Sequence, residues 1–404
     1  MTNSASLRTA QIFCLLALLI GTALRLIWPA DMEWKYDEKW MTQHANAVVQ
    51  GVERPLVGMP SGAGGLVNPG LSVWTFAALA ALTGGSPIAL VRFVMVLNVL
   101  ALWFFWFWIQ RRTRPEARAT WLWALSLWAA SALPVLYSRK IWAQSVLPFF
   151  SVILLWAWSW RHRPLGAFVY GFLGLALGQI HMSGFFFFAA LFVWTWWKQD
   201  RRTPSLATPW FLWGVALAAW PLVPWMRFVA AGVGSGLGLW DRLKNIASLK
   251  FYTHGLATAW GFDLGEILNP DFASRMIRHP LFWAPLAILA AAFLVRLALW
   301  GRREKSEMSA DAPTVQLSVA FWLVMGVLLT LTGVNGHAHY LIVGYPILFF
   351  FPAWWIGRRR GASIWLIAMV AAHLCLSCAV LWDLHVHGGA PSSDYGTSYR
   401  MQVK

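Results

Sequence analysis

The sequence predicts an all-α, polytopic transmembrane bundle, and three observations carry that expectation. Of 404 residues, 59% are hydrophobic and only 12% charged, whereas a soluble domain carries about 25% charged residues. The apolar residues fall in runs long enough to cross a bilayer, which takes roughly 20 residues each. The basic residues collect in short loops on one side, the signature of the positive-inside rule. With 30 Trp and 26 Phe, the composition excludes a disordered chain.

Taken in order, the expected spans are 11–28, 88–110, 119–136, 142–160, 165–181, 184–197, 208–229, 281–300, 315–333, 339–356 and 361–384, which makes eleven. The first follows Arg8, lacks a small-x-small cleavage site and is read as a retained signal anchor. The run 71–83 is apolar but short; it follows Asn68-Pro69-Gly70 and ends at Gly84-Gly85. Charge decides its place. If it lies in the interface, Arg8, Arg111, Arg112, Arg114, Arg118, Arg161, Arg163, Lys198, Arg201, Arg202, Arg302, Arg303, Lys305, Arg358, Arg359 and Arg360 all share one face with only Glu116, Asp200, Glu304, Glu307 and Asp311. That face is inside, the C-terminal tail is outside, and 71–83 is an interfacial helix.

Much of the net charge of +16, from 32 Lys and Arg against 16 Asp and Glu, is therefore topology, and no nucleic-acid partner is expected. The chain divides into an N-terminal membrane module, 1–229, with a long first outer loop at 29–87; an outer loop, 230–280; and a C-terminal membrane module with a short tail, 281–404. Residues 301–314 form an inner linker. The glycines of 58–65 and of 232–238 read as flexible loops. The second series follows a membrane helix and not a strand, so a dinucleotide fingerprint is set aside.

Function is expected in the outer loops. From Asp37 the first loop turns helix-compatible, with Met41, Ala45 and Val48 on one face, which places Asp37 and Glu38 at a helix start. Backbone N–H groups there favour a carboxylate, and an ionised carboxylate at the mouth of a membrane cavity can take a proton from a hydroxyl; ordinary capping explains the same pattern. After the third span, Arg139 and Lys140 stand on the face where topology disfavours them. A bound phosphate explains that placement, and so does snorkelling to lipid headgroups. Arg92, near the outer end of its span, is positioned to pair with the acids of the first loop.

Three sets of histidines lie toward the same side: His181; His337 with His339; and His385 with His387. Two His two apart reach one metal only when extended, and no acid adjoins His337 or His339 in the sequence. They are expected to bond a polar ligand or the backbone; no cofactor is required and no metal set is expected. His373 reads as a satisfied packing residue. Cys14, Cys375 and Cys378 all lie in apolar runs, the last two packing against a neighbouring helix rather than forming a redox pair.

Together these segments resemble the GT-C glycosyltransferases of the protein O-mannosyltransferase type, family 39, and their bacterial relatives, including the aminoarabinose transferases that modify lipid A. Tyr36-Asp37-Glu38 is similar to the family's Asp-Glu motif, Asn68-Pro69-Gly70-Leu71-Ser72-Val73-Trp74 to its Pro-Pro-Leu interfacial helix, Tyr137-Ser138-Arg139 to its Tyr-Ser-Arg stretch, and His339-Tyr340-Leu341 with Tyr345-Pro346 to its late His-Tyr-Leu and Tyr-Pro segment. Asn68 and Gly70 depart from the pattern, and no large soluble C-terminal domain supports the acceptor.

The resemblance covers the first 200 residues best. It implies an inverting transferase in the cytoplasmic membrane of a bacterium, moving a sugar from a polyprenyl-phosphate donor to a lipid, glycan or protein acceptor on the outer face. Asp37 is then the general base, Glu38 shapes the acceptor site and Arg139, supported by Lys140, binds the donor phosphate. Tyr137, Arg92, His181, His339 and Tyr340 are expected to complete the substrate site. A lipid-linked-glycan transporter and a non-catalytic envelope scaffold are the alternatives.

Overall fold

The computed structural model describes residues 4–60, 67–197, 206–230, 238–264, 274–275, 278, 280–298, 313–358 and 361–403. Helix α1 (Ser4–Leu26) leads through a 3-10 turn at Pro29–Asp31 into α2 (Tyr36–Val49), a hairpin of β1 (Val57–Pro60) and β2 (Val67–Pro69), and α3 (Leu71–Thr83). The bundle continues with α4 (Pro87–Arg112), α5 (Pro115–Ala130), α6 (Ala132–Tyr137), α7 (Leu147–Ser159), α8 (Pro164–Ile180) and α9 (Ser183–Trp197). Then come α10 (Thr208–Ala219), α11 (Val223–Ala230), α12 (Leu239–Ala247), α13 (Lys250–Trp260) and α14 (Pro280–Ala298). A helix with a π-turn at Ala320–Met325 is made of α15 (Pro313–Val319) and α16 (Gly326–Leu331). After a 3-10 segment, Ala338–Gly344, follow α17 (Tyr345–Leu348), α18 (Phe350–Gly357), α19 (Ala362–His387), the short pair β3 (Gly389–Ala390) and β4 (Gly396–Thr397), and α20 (Tyr399–Gln402).

Prolines and helix caps explain most of these boundaries. Pro87, Pro115 and Pro164 sit in first turns, where a missing N–H is harmless, and Ser86 accepts from Ala89 N at 3.2 Å to start α4. Four described stretches are long and apolar enough to cross a membrane: Ser6–Leu26, Pro87–Arg112, Thr208–Ala230 (α10 through α11) and α19. The segment Ala338–Gly357 is a fifth if it is followed across its 49° bend. The other apolar helices have 10–17 residues, at most about 25 Å of helix. Helix α3 is one of these short ones, and it packs its Val73, Phe76 and Ala80 face into the bundle.

Several expected spans are broken, and each break has a cause. The run 119–136 is split at Ser131, because Pro134 has no N–H to continue the ladder to Ala130. The freed carbonyls are not left bare: Arg25 of α1, almost wholly buried, donates to Ala129 O at 2.8 Å and Trp128 O at 3.2 Å, and Ser377 of α19 donates to Ala130 O at 2.6 Å. A buried cation inside the bundle is thus held by backbone oxygens, as low-polarity surroundings require. Pro352 likewise separates α17 from α18. Helices α8 and α10 meet through glycines: a Cβ at Gly171 would stand 2.3 Å from Phe211 O, and one at Gly214 would stand 2.2 Å from Phe168 O.

The inner linker 301–312, the basic residues Lys198, Arg201, Arg202, Arg302, Arg303, Lys305, Arg359 and Arg360, and the glycine-rich stretches 61–66 and 231–237 lie outside the described residues. Two packing expectations are corrected. His373 is fully buried, but among the described residues neither ring nitrogen has a hydrogen-bond partner; it is wedged against Gly261, where a Cβ would stand 2.7 Å from its ring. Cys375 and Cys378 are exposed and line a groove rather than packing against a neighbouring helix.

Candidate active site

At one end of the bundle, called here the loop face, the chain leaves α1 through Trp28, whose φ of 49° turns it sharply toward Pro29–Asp31. This sets Asp31 at the end of the 3-10 turn, Glu33 and Lys35 in the link that follows, and Asp37 and Glu38 in the first turn of α2. Glu38 is the capping residue: its Oε2 accepts from Lys35 N at 3.1 Å, while Oε1 is buried with no partner among the described residues. Asp37 is half-buried. The capping bond expected at this helix start is thus made by Glu38.

The residue that organises the cluster is Glu33, which sequence reasoning did not single out. Its carboxylate is buried, bonded to Lys35 Nζ at 3.0 Å on one oxygen and to Lys140 Nζ on the other. Burial, reinforced by the negative charge of Glu33, pushes the Asp37 carboxyl above its ordinary value, with Lys140 and Lys35 opposing. The same two causes act harder on Glu38, which is pushed up to about 8 and so holds its proton at neutral pH. Both neighbouring carboxyls are thus held above their ordinary range.

Lys140 links the carboxylates to an aromatic wall. Its ammonium lies 3.8 Å from the ring of Trp142 and 5.4 Å from that of Tyr137. Trp142 meets His339 at 5.6 Å, and His339 in turn stacks on His337 at 5.2 Å and meets Tyr340 at 4.7 Å. His181 stands 5.7 Å from Tyr340 and 6.2 Å from His339. Its Nδ1 contacts Ser183 Oγ at 2.9 Å and accepts from Ser183 N at 3.3 Å, which leaves the proton on Nε2. The structure thus brings Lys140, Tyr137, His181, His339 and Tyr340 into one run that reaches Asp37 and Glu38 through Glu33.

Two expected members point elsewhere. Arg139 makes no ion pair with the carboxylates among the described residues: its buried guanidinium donates to Leu24 O at 3.1 Å, Ile27 O at 2.5 Å and Trp28 O at 2.7 Å, and so caps the end of α1. The free carbonyls of a helix end attract a fork of N–H donors strongly. Arg92 is exposed on α4 and makes no ion pair with the first-loop acids among the described residues.

The C-terminal tail also reaches the site, which no periodicity in the sequence announces. Ser398 bridges to Glu33, Tyr399 N donates to Met32 O at 2.9 Å, and Tyr395 Oη donates to Asp31 O. Asp31 is held by His385 Nδ1 at 2.6 Å and Arg400 Nε at 2.9 Å, and His385 stacks on Trp28 at 3.9 Å. Gln402 spans Trp34 O at 2.8 Å and Lys39 Nζ at 3.1 Å. Among the described residues no group of three or more His, Cys, Asp and Glu is placed to hold a metal ion.

No family model matches the sequence, and no curated protein matches it. Among solved structures, the chain is similar to the archaeal oligosaccharyltransferase AglB from Archaeoglobus fulgidus, solved with an inhibitory peptide and a dolichol-phosphate, at 11% identity and a TM-score of 0.45. The match covers 92% of this chain and 55% of that one, so the chain spans about half the length of that enzyme.

Proposed function

We propose that the protein is an inverting membrane glycosyltransferase that moves a sugar from a polyprenyl-phosphate donor to an acceptor hydroxyl at the loop face. The observation that carries this reading is the half-buried Asp37, made more basic by its surroundings, beside a protonated Glu38 and the buried Glu33–Lys140 pair. In this reading Asp37 takes the hydroxyl proton as the acceptor oxygen attacks the anomeric carbon. The bond from that carbon to the phosphate oxygen breaks, and the polyprenyl phosphate leaves with both electrons. Such a leaving group needs charge stabilisation rather than a strong acid.

Lys140 and Lys35 both face the carboxylates, and the donor phosphate is assigned to Lys140, which also lies against the aromatic wall. Arg139, occupied by three carbonyls, fixes the end of α1 behind the site. Tyr137, His181, His339 and Tyr340 form the wall against which the sugar packs. The topology that goes with this function has eleven spans, short ones included, in the cytoplasmic membrane of a bacterium, with the loop face outside. The acceptor is a lipid, a glycan or a protein. Mass spectrometry of envelope glycolipids and glycoproteins is expected to show one species short of a single sugar unit in cells lacking the protein; identical profiles with and without it contradict the proposal.

A further inference from the structure

A groove of about 950 Å³ runs between α1, α14 and α19. Its wall is apolar, with Leu24, Ile27, Ile288, Ala371, Cys375 and Trp382 among the lining side chains. Two of its three helices, α1 and α19, are long and apolar enough to cross a membrane, so the groove lies where hydrocarbon is the solvent. Polar groups are confined to one end. There Arg275 grips Asp383 with two bonds, Nε to Oδ1 at 3.1 Å and Nη2 to Oδ2 at 2.7 Å, and His387 Nδ1 lies 3.2 Å from Asp383 Oδ1. A guanidinium and an imidazole thus share one carboxylate, and His387 Nδ1 also lies 3.0 Å from the backbone oxygen of Asp383. Nη1 of Arg275 makes no hydrogen bond to the described residues, and the His387 side chain is 45% exposed.

An apolar channel capped by a guanidinium and an imidazole matches an amphiphile with an anionic phosphate head. Trp28 and Trp382 flank that end as interfacial aromatics do. The groove is also walled off from Asp37: Trp28 lines it on one side and stacks on His385 on the other, and His385 holds Asp31. A head group seated at Arg275 therefore stands behind this layer, away from the candidate site. We propose that the groove is the seat of one anionic phospholipid, its phosphate at Arg275 and His387 and its acyl chain along Cys375 and Cys378. The proposal concerns a resident lipid and does not depend on the protein being a transferase.

The test is photo-crosslinking of the full-length protein in phosphatidylcholine vesicles doped with diazirine-tailed phosphatidylglycerol or, in parallel, diazirine-tailed phosphatidylcholine. The account expects the anionic probe to label peptides of α19 at least five-fold more than the neutral one. Unlabelled phosphatidylglycerol should compete, and Cys378→Trp, which fills the groove, should abolish the labelling. Arg275→Ala should erase the anionic preference while leaving neutral labelling. Because that variant strands Asp383, Arg275→Ala/Asp383→Asn, confirmed as monodisperse, must give the same loss. Equal labelling by the two probes, labelling that survives Cys378→Trp, or displacement by polyprenyl monophosphate but not by phosphatidylglycerol overturns the proposal.

Discussion

Asp37 and Glu38 are neighbours in sequence with different surroundings, and the difference is measurable. Glu38 is raised from an ordinary 4.5 to about 8 by burial and by Glu33. In the folded protein it keeps a proton that the unfolded chain has already released above pH 4.5. The stability this proton contributes is therefore fully present below about pH 4.5 and is lost as pH rises toward 8. Thermal unfolding in detergent should show a midpoint that falls between pH 5 and pH 8, and Glu38→Gln should flatten that slope. A wild-type midpoint that rises over the same interval contradicts the assignment. Both carboxylates were legible in the sequence because they begin a helical pattern. Glu33 was not, because its importance comes from Lys140, more than a hundred residues away, and nothing in the spacing of charges shows which pair will be buried together.

At the scale of elements, apolar runs and prolines let most helices be found, but their breaks are tertiary facts. Pro134 marks a break in 119–136, yet only the fold shows that Arg25 and Ser377 occupy the carbonyls it frees. Arg139 was legible as a basic residue on an unfavoured side, and its use as the cap of α1 was not, since a guanidinium suits a phosphate and a helix end equally well. The tail is the strongest case: residues 395–402 have no apolar period, and they hold the loop 31–39 through backbone and side-chain bonds. Deleting residues 391–404 should speed amide hydrogen exchange in residues 31–38 by at least ten-fold, as expected when a covering segment with its bonds is removed. Unchanged exchange there means that the tail contributes nothing to holding the site.

For the whole molecule, the charge asymmetry of the sequence sets the direction in which it is expected to sit. Arg114, after the long helix α4, and Met401, beside the first loop, are both exposed and should face opposite sides of the membrane. In a variant lacking the native cysteines, Met401→Cys should react with a membrane-impermeant maleimide on intact spheroplasts, while Arg114→Cys should react only after lysis. The reverse pattern inverts the topology and moves the loop face inside.

The central claim is that Asp37 acts as the base in sugar transfer. It is tested most directly by purified protein incubated with labelled polyprenyl-phosphate sugar and acceptor extract, wild type against Asp37→Asn, with donor binding measured on both. Transfer by the wild type, a loss of about 10²–10⁴-fold in the variant and unchanged donor binding are the predicted results. Transfer by Asp37→Asn at the wild-type rate contradicts the account.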